Sequence, residues 1–381
     1  MLVGIDALPL VPPWTGIGHY TFELACALAA ISPSDQFQFL SPLPHTADLV
    51  RDHELPANLH AVDIESRLKR RRWWAFGLPL HATASGLSLF HGTNYEVPLW
   101  GRCATINSIH DLSLLLYPET HEAKRVRRAH LRLPLMARAA TMVITATECA
   151  KRDVCEHLGI RPEKVGVTPF APRRVFRPVA AEQAVTTLRR LGVEDNFLLF
   201  VGTVEPRKNL MTLMRALDEI LRTTDLRPQL VIAGKKGWLT GELLSYIRSA
   251  GIDDRVRFTG YVSDDDLCAL YSTCQVMIYP SLYEGFGLPP LEAMACGAPV
   301  IASRDKSVME TLGAAARLVE ATDVGRLAEN IVELLRDEDA QSSLAAAGRK
   351  RAAQFTWERT ARATLEVYYE ALARKHGKGG A

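Results

Sequence analysis

The 381-residue sequence lacks an excess of either charge: 45 Lys and Arg stand against 43 Asp and Glu, a formal net charge of +2. Nucleic-acid binders carry a strong basic surplus, so that class of partner is not expected. There is no CxxC pair. The seven cysteines (Cys26, Cys103, Cys149, Cys155, Cys268, Cys274, Cys296) are scattered and odd in number, which fits neither a disulfide framework nor a structural zinc site. A reducing cytoplasm is the expected compartment, and no metal site is expected. No apolar run approaches the roughly 18 residues that a spanning helix requires. The chain opens directly on a strand, MLVGIDALPL, without a charged leader or small-residue cleavage site, so neither a signal peptide nor a membrane span is expected.

What is present is apolar sequence sufficient for two cores: 48% of residues are hydrophobic, and a single core stops growing well below this length. Short apolar runs alternate with stretches of helical period, the pattern of βαβ units around parallel sheets. In the first half these runs are LVGID (2–6), FQFLS (37–41), LHAVDI (59–64), LSLFHG (87–92), ATINSIHD (104–111), TMVITAT (141–147) and KVGVTP (164–169). The stretch PFAPRRVFRPV (169–179) breaks both periods and reads as a linker. A second series follows: FLLFVGT (197–203), LVIAG (230–234), VRFTGYV (256–262), VMIYPS (276–281) and PVIAS (299–303). From Asp323 onward the pattern is helical, ending in a helix long enough to return to the first domain. The expectation is α/β, with two Rossmann-like doubly wound parallel sheets: residues 1–175 joined by about 356–381, and residues 176–355. Ligands of such sheets sit beyond the carboxyl ends of the strands, so a cleft between the two is the expected site.

Segment 279–303, YPSLYEGFGLPPLEAMACGAPVIAS, is the most informative. A strand runs into a two-glycine turn and then a helix whose first turn accepts Pro289 and Pro290 without losing a hydrogen bond. The unpaired amides at such a helix start bind anions, which makes Gly285, Phe286, Gly287 and Leu288 a cradle for a diphosphate. Glu284 precedes the turn and Glu292 lies one turn into the helix. Paired carboxylates suggest glycoside hydrolysis, but an anion site between them does not suit it. Acceptor oxygens flanking a phosphate site suit sugar and ribose hydroxyls instead. In FVGTVEPRKNL (200–210), Arg207 and Lys208 stand at a strand end, where two fixed cations would stabilise a departing diphosphate; the alternative is a solvated helix start.

In the first half, WTGIGHYTFELACALA (14–29) places Gly16 and Gly18 between strand one and a helix, either as a phosphate-approaching turn or as a tight turn alone. His110, followed by Asp111, closes a strand; it could meet a sugar hydroxyl or be a core histidine satisfied by backbone. His91 has a similar position. Two basic stretches, RLKRRRWW (67–74) and KRVRRAHLRLPLMAR (124–138), suit either an anionic membrane surface or solvated helix faces.

Taken together, TGIGHYT, IHDLS, GTVEPRKN, GYVSDDDL and EGFGLPPLEAMACGAPVIAS make the chain resemble glycosyltransferase family 4, of the GT-B fold, over nearly its whole length. The resemblance implies retention of anomeric configuration without a divalent metal or other cofactor. It places Glu284 on donor-sugar hydroxyls, Glu292 on the ribose, and Arg207 and Lys208 on the diphosphate with the amides of Gly285 to Leu288. His110 would lie beside the sugar, Gly16 and Gly18 over the phosphates, and Tyr261 and Val262 at the base. Relatives often carry Arg after GIG; here it is His19. The nearest resemblance is to bacterial mannosyltransferases that use GDP-mannose to build surface polysaccharide. This implies a nucleotide-sugar donor and a glycan or polyprenyl-diphosphate-linked acceptor, met in the cytoplasm or at the cytoplasmic face of the inner membrane. The alternatives are a sugar-nucleotide epimerase of the same fold and a catalytically silent sugar-nucleotide-binding protein. A nicotinamide dehydrogenase would need the third glycine that GIGHYT lacks.

Overall fold

A computed structural model describes residues 1–43, 53–63, 72–238 and 240–377. The chain divides into two compact units. The first comprises Met1–Leu115, Lys124–Phe170 and Thr356–Ala381; the second comprises Leu116–Ala123 and Ala171–Phe355.

The first unit is a seven-stranded parallel sheet built from β1 (Leu2–Asp6), β2 (Gln36–Ser41), β3 (Leu59–Asp63), β4 (Leu89–Gly92), β5 (Ala104–Ser108), β6 (Met142–Thr145) and β7 (Val165–Val167), in the order β3-β2-β1-β4-β5-β6-β7. The last helix, Trp357–Gly377, belongs to this unit and packs along the Gly16–Ile31 helix and against β5, β6 and β7. Its closeness to the sheet is set by Gly166 of β7, where a Cβ would lie 2.4 Å from Val367 Cγ2.

The second unit is a six-stranded parallel sheet: β8 (Phe197–Val201), β9 (Gln229–Ala233), β10 (Val256–Gly260), β11 (Val276–Tyr279), β12 (Val300–Ser303) and β13 (Arg317–Val319), in the order β10-β9-β8-β11-β12-β13. Its central strands, FLLFV and VMIY, are buried at every position, because helices cover both faces of a parallel sheet and leave no polar side. Both sheets reverse direction next to their first strand, between β1 and β4 and between β8 and β11. Such a reversal opens a crevice at the carboxyl ends of the two strands, where doubly wound sheets bind ligands.

Most of the sequence runs overshoot their strands at the carboxyl end, whereas 2–6, 37–41, 87–92 and 299–303 stop where β1, β2, β4 and β12 do; β13 has no counterpart among them, since three residues carry no readable period. Gly16 and Gly18 were expected in a turn before a helix. The helix in fact begins at Gly16, so both glycines lie in its first turn and neither has a positive φ. Gly18 serves a close approach: a Cβ there would meet the Pro9 carbonyl oxygen at 2.6 Å. Of RLKRRRWW, residues 67–71 lie outside the described residues. Trp73 is buried in a core cluster with Leu40, Leu78 and Phe90, so it is unavailable as an interfacial aromatic. The second basic stretch forms the Ala123–Ala139 helix, which exposes Leu131 at 74% and pairs Arg128 and Arg132 with Glu96.

Candidate active site

The two segments that follow β8 and β11 meet at the crevice of the second unit. After β8 the chain passes through a short 3-10 turn, Pro206–Lys208, and Asn209 takes a left-handed conformation (φ 55°) before the Leu210–Thr223 helix. Asn209 Nδ2 donates to the carbonyls of Pro280 and Ala321 at 3.1 and 2.6 Å, fastening this turn to the segment after β11. After β11 the chain reaches Gly287 with φ 93°, a conformation that strains any residue bearing a Cβ, and the Leu288–Cys296 helix begins at once with Pro289 and Pro290 in its first turn.

Arg207 and Lys208 are not solvated; they are 9% and 8% exposed, and Glu284 is 7% exposed. Lys208 Nζ lies 2.6 Å from Glu284 Oε1 and donates to Tyr279 Oη at 2.9 Å. Arg207 Nη1 lies 2.9 Å from Glu284 Oε2 and donates to the Tyr283 carbonyl at 2.8 Å, and its Nη2 reaches Glu205 at 2.7 Å. Burial by itself would raise the Glu284 carboxyl, but Arg207 and Lys208 together outweigh it and hold the group down at about 2. Burial pushes the Lys208 ammonium down, against the pull of Glu284. The result is a dry cluster of two cations and two carboxylates beside a helix N-terminus. In a charge-neutral cluster of this kind an incoming anion can pair with the two cations only by releasing the carboxylate to other hydrogen-bond donors.

Glu292 stands apart from this quartet. It is buried in the Leu288–Cys296 helix, with the Arg173 guanidinium 3.9 Å away. Burial pushes its carboxyl up to about 8, which Arg173 opposes and Asp264 reinforces. Tyr261 follows the edge strand β10 and is 56% exposed, with Lys235 Nζ 5.2 Å from its ring centroid; Val262 is buried.

Four contributors were not foreseen. Arg173 comes from the stretch read as a linker. Glu205 and Tyr279 complete the polar shell of Arg207 and Lys208. Tyr117 belongs to Leu116–Ala123, a short piece of the first half of the sequence that lies in the second unit, where its ring stacks on Tyr283 at 5.4 Å. Trp238 Nε1 donates to the Thr120 carbonyl in the same piece. No local sequence signal marks that excursion, because it depends on which sheet the segment rests against.

In the first unit His110 lies two residues beyond β5. Its Nε2 donates to the Thr93 carbonyl at 2.7 Å, and it sits between the edges of Tyr20 and Tyr95, whose ring centroids are 5.1 and 5.5 Å away. Burial lowers its basicity, so the neutral ring carries its proton on Nε2 and offers Nδ1 as an acceptor. His91 is a core histidine. Its Nδ1 and Nε2 engage Tyr368 and Ser108 at 2.7 and 2.8 Å, and burial drops its basicity to about 3. Arg207, Lys208, Glu284, Glu292, Tyr261, Val262 and Gly285–Leu288 thus belong to the second unit, and Gly16, Gly18 and His110 to the first.

Two Rossmann-like parallel sheets, the second bearing a cationic glycine-turn site at its reversal point, make the architecture that of the GT-B fold. Residues 189–351 match the family described as Glycosyl transferases group 1, and the chain is a glycosyltransferase similar to those of the family 4 type. It is 28% identical over 374 residues to O-antigen chain mannosyltransferase B of Escherichia coli, covering 94% of this chain and 97% of that one. It is 30% identical over 273 residues to the serotype-specific mannosyltransferase WbdA of Escherichia coli, covering 70% of this chain but 34% of that longer protein. Its fold is similar to that of HepE from Anabaena, solved in complex with UDP and glucose, with a TM-score of 0.75, 20% identity, and coverage of 97% of this chain and 100% of that one.

Proposed function

We propose that the chain is a retaining, metal-independent hexosyltransferase that moves mannose from GDP-mannose to a glycan, or to a glycan carried on a polyprenyl diphosphate, in surface polysaccharide assembly. The observation that carries this reading is the convergence of Arg207 and Lys208 on Glu284 beside the amides of Gly285–Leu288. The diphosphate takes the place of Glu284 on the two cations, and Glu284, ionised at neutral pH, accepts bonds from donor-sugar hydroxyls. Glu292 accepts from the ribose, Tyr261 and Val262 meet the base largely through backbone, and the first turn at Gly16 and Gly18 approaches the phosphates. His110 receives a sugar hydroxyl on Nδ1. The mannosyltransferase names of the matched relatives support mannose as the sugar.

No side chain serves as nucleophile in this reading. The bond from the anomeric carbon to the diphosphate oxygen breaks on the face where the acceptor oxygen bonds, and the leaving phosphate takes the acceptor's proton. Catalysis is then orientation plus stabilisation of the growing negative charge by Arg207, Lys208 and the helix-start amides. The same residues meet the charge that a divalent metal would otherwise balance.

The first unit suits peripheral contact with an anionic membrane at the cytoplasmic face. It exposes Phe76, Leu80, Leu99, Trp100, Leu131 and Leu135, with cations along the Ala123–Ala139 helix. Among the described residues no helix is long and apolar enough to cross a membrane.

A thermal-shift panel of GDP, UDP, ADP and TDP with their sugars, with and without EDTA, tests the donor, since a ligand of the folded state raises the melting temperature. Stabilisation by GDP and GDP-mannose that survives EDTA supports the reading. A response to none of them moves the weight to a silent binding protein, and turnover of GDP-mannose without acceptor moves it to an epimerase. Co-sedimentation with anionic but not zwitterionic vesicles tests the membrane contact.

A further inference from the structure

Arg173 lies in an irregular stretch yet is almost fully buried, and its guanidinium is fixed on three sides. It forms a two-pronged pair with Asp264, at 2.5 and 2.9 Å. It lies over the Phe176 ring at 4.7 Å. Its Nε is 3.9 Å from Glu292 Oε1, within ion-pair range but longer than a hydrogen bond. Asp264 opens the Asp264–Thr273 helix and keeps 37% of its side chain exposed, whereas Glu292 has almost no access to water. One cation is therefore shared between a hydrated carboxylate that holds it at hydrogen-bond distance and a dry one that does not.

We propose that Arg173 is the positioning residue of the ribose site, aiming the Glu292 carboxyl and favouring its ionised form while Asp264 competes for the same guanidinium. The inference rests on the reading that Glu292 meets the ribose. Two ribose hydroxyls are two donors, and only an ionised carboxylate offers both oxygens as charge-assisted acceptors. The groups facing Glu292 are Arg173 from the crossing stretch, Asp264, Cys268 and Tyr271 from the Asp264–Thr273 helix, and Cys296 from its own helix. Arg173 is the one permanent cation among these groups. In this proposal Arg173 acts through Glu292 rather than on the nucleotide.

The proposal makes two substitutions that break the same ion pair act in opposite directions. Arg173→Met removes the cation and leaves Glu292 facing Asp264; Asp264→Asn removes the competitor and releases the guanidinium to Glu292. GDP affinity of the full chain, measured by calorimetry from about pH 6.5 to about pH 9, should rise as pH climbs through the Glu292 titration near 8. Arg173→Met should move that rise to higher pH and weaken GDP about tenfold near neutrality. Asp264→Asn should move it to lower pH and tighten GDP there, with Arg173→Lys falling between the native chain and Arg173→Met. With 2′,3′-dideoxy-GDP all four proteins should bind alike and without the pH-dependent rise. Shifts of the same sign in Arg173→Met and Asp264→Asn, or effects that persist with the dideoxy nucleotide, overturn the positioning role. Glu292→Gln that binds GDP as the native chain does overturns the ribose reading itself, and with it this inference. If the native chain ignores GDP, the donor assignment fails and the same series is decided with UDP and 2′,3′-dideoxy-UDP.

Discussion

Lys208 Nζ lies 2.6 Å from Glu284 Oε1, while Arg207 Nη1 takes the other oxygen of the same carboxylate at 2.9 Å. Residues that stand 76 positions apart in the chain thus form a closed, buried pair, because β8 and β11 are neighbours on either side of the sheet reversal. Glu284 occupies the cations that a diphosphate would need. In the proposed function donor binding is an exchange of anions rather than a filling of bare positive charge, with the same carboxylate released toward the sugar.

Glu284→Ala should separate binding from chemistry. Removing one member of a buried ion pair costs about 3–5 kcal/mol, so the variant should melt well below the native chain. GDP should raise its melting temperature by more than it raises the native one, because the nucleotide supplies the missing anion, while mannosyl transfer should disappear. Lys208→Ala should weaken nucleotide binding itself. Transfer at the native rate in either variant, followed by release of labelled product, would remove these two side chains from the site.

Tyr95 adopts φ 63°, a conformation that costs a bulky residue on the order of 1–3 kcal/mol. Its ring edge meets His110, and its hydroxyl accepts from the Asp111 amide at 3.1 Å. Tyr95→Phe keeps the ring and should lower kcat less than about tenfold. Tyr95→Gly relieves the backbone but frees His110, so kcat should fall by more than about tenfold with a smaller change in melting temperature than ring loss from a core produces. Nitrogen NMR of the native histidine should report the proton on Nε2. A Tyr95→Gly enzyme with full turnover would show that this strained contact is irrelevant to His110.

Gly16 and Gly18 should behave differently although they sit in one helical turn. A Cβ at Gly18 would collide with Pro9 O at 2.6 Å and crowd Trp14 Cβ at 3.1 Å, whereas nothing lies within 4 Å of one at Gly16. Gly18→Ala should destabilise by about 1–3 kcal/mol. Gly16→Ala should leave denaturant stability within about 0.5 kcal/mol and yet reduce affinity for the nucleotide sugar if this turn approaches the phosphates. Unaltered affinity in Gly16→Ala would assign the first glycine to nothing beyond helix initiation.

Asp6 ends β1 fully buried, and burial pushes its carboxyl up to about 7. Its folded value thus lies above its unfolded one near 3.8, so its contribution is intact at lower pH and is lost as pH rises through about 7. Asp6→Asn, which retains the oxygen that accepts from the Leu8 amide, should melt above the native chain at pH 8 and converge with it near pH 4. Equal melting curves at both pH values would mean that Asp6 titrates normally in the fold.

Much of the site could be read because its chemistry is local. EGFGLPPLEA carries a glycine at the one left-handed position, prolines where a helix start loses no bond, and both carboxylates, all within ten residues. GTVEPRKN places its cations on the turn after an apolar strand. The parallel sheets were legible for a similar reason: buried strands such as FLLFV must be apolar throughout, and that pattern survives in one dimension. The errors fell where a motif could be satisfied in two ways. Gly16 and Gly18 read as a turn but lie inside a helix, since a glycine pair shows conformational freedom without saying whether it is used. Trp73 read as a surface aromatic but fills a core.

The sequence by itself determined the class of fold, the order of its elements and the residues at the ends of β8 and β11, because periodicity and turn chemistry act over a few residues. Only the tertiary structure decided what those residues face. It set Glu284 between Arg207 and Lys208, placed Arg173 between two carboxylates, carried Tyr117 into the second unit, and made His91 a core residue while His110 kept an acceptor nitrogen. Charge state and hydrogen-bond direction depend on burial and on partners from distant parts of the chain, and those are fixed only when the strands take their order in the sheet.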